Sequence, residues 1–151
     1  MTIQFICRGN VFRSIIAETY LRSLQLPHVI SRSSGIVAAR DKESNRSSNL
    51  EVRALLERRG ILSYAKPQYG DNTTQESLDT SDVNVFLNEI AHQEAMEQFI
   101  VPESSIVWRV ADFGEHGKTP RGDDDRLRLL DETYDEITRG VDHLVDQLHI
   151  R

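Results

Sequence analysis

A change of hydrophobic period near the start of the chain constrains its fold most. Residues 2–6 form a largely apolar run of strand length. From Arg13 onward, Ile16, Tyr20 and Leu24 recur on one helical face, with Ala17 and Leu21 beside it. The residues between, 7–12, therefore form a strand-to-helix turn, and the lone cysteine of the chain, Cys7, stands at its first position.

The alternation continues. Residues 28–31 are read as a second strand, and the polar segment 39–47 as a solvated surface loop. Ser48 and Glu51 have the spacing of a capping box. Val52, Leu55 and Leu56 give the helix after it a buried face, and Arg58, Arg59 and Gly60 close it. Residues 82–87 are read as a third strand, 89–99 as a helix and 105–110 as a fourth strand running directly into Asp112. After the acidic start Asp123, Asp124, Asp125, a final helix is marked by Leu127, Leu130, Tyr134, Ile137, Val141, Leu144 and Leu148 at steps of three and four. Strands alternating with helices require right-handed crossovers, hence an α/β fold with a mostly parallel sheet covered by helices on both faces. Ligands in such folds gather beyond the carboxyl ends of the strands, where Cys7 and Asp112 both fall.

Bulk properties narrow the function. A chain of 151 residues is sized for a single domain spanning 1–151. Its net charge of −6 argues against general nucleic-acid binding, which needs a basic face. No stretch approaches a membrane span, and the first ten residues lack the basic flank and cleavage site of a leader, so a cytoplasmic protein is expected. One cysteine makes no internal disulfide, and no CxxC or HxxxH spacing suggests zinc. His28, His92, His116, His143 and His149 share no spacing and are assigned no function. Cys7 is then either a buried space-filler or a reactive thiol.

The sequence Cys7-Arg8-Gly9-Asn10-Val11-Phe12-Arg13-Ser14 favours the second. An anion in that turn meets successive backbone N–H groups and the positive end of a helix dipole. Gly9 and Asn10 are residue types that tolerate left-handed backbone, which curls the amides inward. A thiol at a helix N-terminus beside a guanidinium ionises below its reference pKa of about 8.5. Arg13 suits a bidentate grip on two phosphate oxygens, and Ser14 is placed to donate a hydrogen bond to the sulfur. Arg8 is read either as a lip residue attracting anionic substrate or as an ordinary solvated charge. The amides and Arg13 supply the positive charge that a metal would otherwise bring, so no metal or organic cofactor is expected.

These residues resemble the low-molecular-weight protein tyrosine phosphatases, whose loop reads Cys-x-Gly-Asn-x-x-Arg-Ser before a helix carrying Ala-Glu, here Ala17-Glu18. Ser33-Ser34-Gly35 is similar to the family's Ser-Ala-Gly, in which the serine supports the loop asparagine. Weaker similarity runs through residues 58–61, 82–88 and 132–134. The resemblance implies a three-layer sandwich around a four-stranded parallel sheet in the order 2-1-3-4. It also implies phosphomonoester hydrolysis through a phosphocysteine, with a phosphotyrosine protein or small aryl phosphate as substrate, in a monomer or weak dimer. Its general acid follows the fourth strand, usually in Asp-Pro. Asp112 is the counterpart, with Asp123, Asp124 and Asp125 as further candidates.

The sequence departs from the family pattern at several positions. Phe113 replaces the proline, and residues 113–122 make a longer connection. Phe12 takes the place where many members carry a second, protective cysteine. Val11 stands where phosphoarginine-specific relatives have threonine, which favours phosphotyrosine by resemblance. Tyr64 and Phe113 are candidate walls for a phenyl ring. An arsenate reductase would need further cysteines, and a phosphocarrier would have to retain its phosphate. A catalytically weakened phosphotyrosine-binding module is the alternative that the missing proline favours.

Overall fold

A computed structural model describes residues 1–38, 46–115 and 117–151, without the side chains of residues 46–48. The expected surface loop at 39–47 falls almost wholly outside the described residues, as does His116. In chain order the elements are β1 (Thr2–Cys7), α1 (Arg13–Ser23), β2 (Ile30–Gly35), α2 (Arg46–Arg58), a 3₁₀ turn (Leu62–Tyr64), α3 (Gln75–Asp79), β3 (Val83–Phe86), α4 (Glu89–Gln98), β4 (Ile106–Val107) and α5 (Asp123–Gln147). The four strands form one parallel sheet in the order β2-β1-β3-β4, with Cys7 opposite Gly35, Ile6 opposite Phe86 and Phe86 opposite Val107.

Alternation along the central strand β1 divides the core into two layers. Ile3, Phe5 and Cys7 face α1, α2 and α5, packing with Ile15, Ile16, Leu55, Leu56, Ile137 and Val141. Ile6 and Phe86 face the other way, against Leu78 of α3 and Ala91 and Ala95 of α4. Each fully buried large side chain contributes roughly 1.5–3 kcal/mol. The parallel sheet covered on both faces that the alternation predicts, and the three-layer sandwich of order 2-1-3-4 that the resemblance implies, are thus formed. Gly140 brings α5 close to the sheet edge: a Cβ there would lie 3.1 Å from the ring of Trp108.

Several element bounds differ from the expectations. The second strand lies at Ile30–Gly35 rather than 28–31, because its buried residues are serines held by hydrogen bonds rather than apolar side chains. The fourth strand is only Ile106–Val107. Helix α2 starts at Arg46, so Ser48 lies within it rather than at the cap position expected. Leu127, assigned to the buried face of α5, is half exposed; Leu129 is buried instead. The short α3 and the 3₁₀ turn had no sequence signal strong enough to mark them. Capping nevertheless explains α3: the Thr74 side chain accepts from the Ser77 amide, and Ser77 accepts from the Thr74 amide. No described helix is long and apolar enough to cross a membrane.

Candidate active site

β1 delivers Cys7 to the carboxyl edge of the sheet, and α1 begins at Arg13, so the loop between them curls over the N-terminus of that helix. Asn10 makes the curl by adopting a left-handed φ of 51°, whereas Gly9, expected to share that conformation, has no positive φ. Gly9 contributes bare backbone to the cavity wall instead. The loop lies directly on β2: a Cβ on Gly35 would fall 2.6 Å from the Asn10 nitrogen and 2.9 Å from the Arg8 carbonyl oxygen.

The buried Asn10 side chain organises the loop. Its Oδ1 accepts from the amides of Gly70 and Asp71, both at 3.0 Å, which orients Nδ2 toward Ser14 Oγ and Ser33 Oγ, both at 2.9 Å. Because Ser14 Oγ accepts from Asn10, its own proton is free for Cys7 Sγ at 3.0 Å. The Asn10 amide donates to the same sulfur at 3.2 Å. Ser33 in turn donates to Glu18, a buried carboxylate that Arg22 approaches at 2.9 Å and Lys66 at 3.7 Å. Burial raises the Glu18 pKa above its ordinary 4.5, against the lowering effect of Ser33, Lys66 and Arg22.

Above the sulfur lies a cavity of about 320 Å³. Cys7, Arg8, Gly9, Val11, Phe12 and Arg13 line it from the loop, Asp112 and Phe113 from the segment after β4, Glu51 from α2 and Arg126 from α5. Arg13 is 3% exposed; its Nη1 donates to the Val110 carbonyl at 2.7 Å and its Nη2 to Asp112 Oδ2 at 3.3 Å. Phe12 and Phe113 meet at a centroid distance of 5.9 Å and a tilt of 42°. The Arg126 guanidinium sits over the Phe113 ring, 4.8 Å from its centroid, and is held bidentate by Glu51.

Most of the expected site residues come together here, with two exceptions. Tyr64 does not line the cavity: the 3₁₀ turn points its hydroxyl at Gln25, whose Nε2 donates to it at 2.9 Å. Asp123, Asp124 and Asp125 also stay outside the lining. Asp125 is committed to its own helix end, where Arg128 and the Arg121 amide bind it and lower its pKa. Glu51 and Arg126 are additions that the sequence did not announce. Glu51 carried a capping signal, and Arg126 had none. Among the described residues, no group of three His, Cys, Asp or Glu side chains is placed to hold a metal.

A cysteine at the carboxyl edge of a parallel sheet, in a cavity lined by Arg13 and the loop that leads to it, is the arrangement expected of a cysteine-dependent phosphatase. The family comparison narrows it: the sequence model of the low molecular weight phosphotyrosine protein phosphatases matches residues 2–151, and the chain belongs to that family. No protein of curated function matches the chain significantly. Three solved structures show how widely the fold is used. A low molecular weight protein tyrosine phosphatase from Bacillus subtilis is 22% identical with a TM-score of 0.70, the match covering 99% of this chain and 97% of that one. The YwlE arginine phosphatase from Geobacillus stearothermophilus is 19% identical with a TM-score of 0.65, covering 98% and 92%. A thioredoxin-dependent arsenate reductase from Corynebacterium glutamicum is 19% identical with a TM-score of 0.66, covering 98% of this chain and 61% of that one.

Proposed function

We propose that this chain hydrolyses aryl phosphate monoesters, phosphotyrosine in proteins above all, through a phosphocysteine formed at Cys7. The observation that carries the reading is Cys7 Sγ receiving the Asn10 amide and the Ser14 hydroxyl at the base of a cavity that Asp112 rims and two phenyl rings wall. In the first step the sulfur attacks phosphorus, the S–P bond forms and the P–O bond to the leaving group breaks. Asp112, in its acid form, gives its proton to the departing oxygen. In the second step Asp112 takes a proton from water as that water attacks phosphorus; the S–P bond breaks, and the Ser14 hydroxyl steadies the sulfur as it leaves. Arg13 grips the phosphoryl oxygens after exchanging Asp112 for the anion, and the loop amides hold the charge that builds in the transition state.

The substrate preference rests on the walls. Phe12 and Phe113 favour a flat ring over an aliphatic chain. Val11 presents methyl groups where a hydrogen-bonding residue would suit a guanidino substrate. Relatives of this fold include an arginine phosphatase and an arsenate reductase. With Cys7 as the lone cysteine, no second thiol of this chain is present to run a thiol cascade.

The test is turnover of p-nitrophenyl phosphate by the wild type, Cys7→Ser and Asp112→Asn, followed by peptides carrying phosphotyrosine, phosphoserine or phosphoarginine. Turnover lost in Cys7→Ser and a preference for phosphotyrosine support the reading. Tight phosphotyrosine-peptide binding by a wild type that releases no phenol would replace it with a binding module. Preference for phosphoarginine would keep the mechanism and overturn the substrate.

A further inference from the structure

We propose that Glu115 and Lys118 are positioning residues for Asp112, clamping the loop that carries it. The proposal rests on the reading of Asp112 as acid and base.

Asp112 has every polar atom engaged. Its amide donates to Glu115 Oε2 at 3.0 Å, and its carbonyl accepts from the Glu115 amide at 3.1 Å. Its Oδ1 accepts from the Phe113 amide at 2.9 Å, a donor that a proline would lack, and its Oδ2 faces Arg13. With Oδ1 held by the backbone, Oδ2 is the oxygen that turns to the leaving group once Arg13 exchanges it for the phosphate.

Lys118 closes the clamp from the far side. Its ammonium donates to the Ala111 carbonyl at 2.8 Å, its amide to the Glu115 carbonyl at 2.9 Å, and its own carbonyl accepts from Gly114 at 3.0 Å. Two cations thus hold successive carbonyls leading into Asp112: Arg13 takes Val110 and Lys118 takes Ala111. The tight return of the chain is made by Gly114 and Gly117, at φ of 86° and 76°. The ammonium also sits 5.8 Å from the Phe113 centroid, on the ring that walls the cavity. Burial lowers its pKa from the usual 10.5, and Arg13 adds to that, while Glu136, Asp112 and Glu132 oppose it. A cation held against its own desolvation fits a fixed anchor better than a solvated surface charge.

The experiment exploits leaving-group demand. Phenyl phosphate needs a well-placed acid, whereas p-nitrophenyl phosphate releases a better leaving group and needs it far less. Asp112→Asn is expected to lower kcat/KM on phenyl phosphate by about 10²-fold or more, the usual worth of a general acid. Lys118→Met and Glu115→Gln are expected to lower it by about tenfold, with about twofold or less on p-nitrophenyl phosphate, and Lys118→Arg to restore most of the loss. Equal losses on both substrates, or none, would overturn the clamp while a selective Asp112→Asn left the catalytic reading standing. An Asp112→Asn variant as active as wild type on phenyl phosphate would overturn that reading and the clamp with it. Thermal unfolding of each variant identifies any that fails to fold, and the remaining clamp variant then decides.

Discussion

Gly35 and Asn10 are packed backbone to backbone: no side-chain atom fits between β2 and the loop that holds the sulfur, since a Cβ at residue 35 would stand 2.6 Å from the Asn10 nitrogen. Gly35→Ala must therefore push the loop off the strand. We expect a loss of about 1–3 kcal/mol in stability, as for other overpacked sites, and about a 10²-fold fall in kcat/KM from displaced loop amides. Thermal melts and phosphatase assays of the variant check both, and an unaltered rate would contradict the close approach.

The Glu51–Arg126 bridge holds the cation over Phe113, and so controls the ring wall rather than the phosphate cradle. Glu51→Gln is expected to raise KM for aryl phosphates by about threefold, the scale of one cation–π contact. Competitive inhibition by inorganic phosphate, which has no ring, should not weaken. Parallel loss of aryl and phosphate affinity would mean that the bridge shapes the whole cavity.

Glu18 provides a pH test. Its pKa is raised above 4.5 in the folded chain, so the native state keeps a proton that the unfolded chain has released. Its contribution is therefore most favourable below pH 4.5 and declines as pH rises through the folded value. Urea midpoints of wild type and Glu18→Gln, taken from pH 4 upward, should show the wild type losing ground relative to the variant as pH increases. A difference that grows in favour of the wild type would reverse the assignment and make the Arg22 and Lys66 pairings dominant.

Peroxide offers another test. Cys7 has no second thiol in the chain, and Phe12 fills the neighbouring loop position. Its sulfenic acid has no internal partner and should proceed to sulfinic acid under excess peroxide. Little activity is expected to return on thiol addition, and intact mass should show two added oxygens. Full recovery would count against it.

The parts of the molecule legible in the sequence are those where apolar period and burial coincide. β1, α1 and α5 follow that rule, and the change of period between residues 6 and 13 marked the loop between them. β2 broke it, because Ser31, Ser33 and Ser34 are buried by hydrogen bonds to Glu18, Asn10, Gln4 and Thr73, which no hydropathy pattern reports. Tyr64 was misplaced for a related reason: an aromatic residue in a loop carries no sign of which side it faces, and here the turn directs it to Gln25. Glu51 and Arg126 meet only through the tertiary pairing of α2 with α5, a contact across 75 residues.

The three arginine side chains around the cavity already have carboxylates: Arg8 has Glu94, Arg13 has Asp112 and Arg126 has Glu51. An arriving dianion meets a nearly balanced field, so its capture proceeds by Arg13 exchanging Asp112 for the anion at close range more than by attraction from afar. Association rates should accordingly vary little with added electrolyte, and selectivity falls to whichever ligand best replaces Asp112 on Arg13.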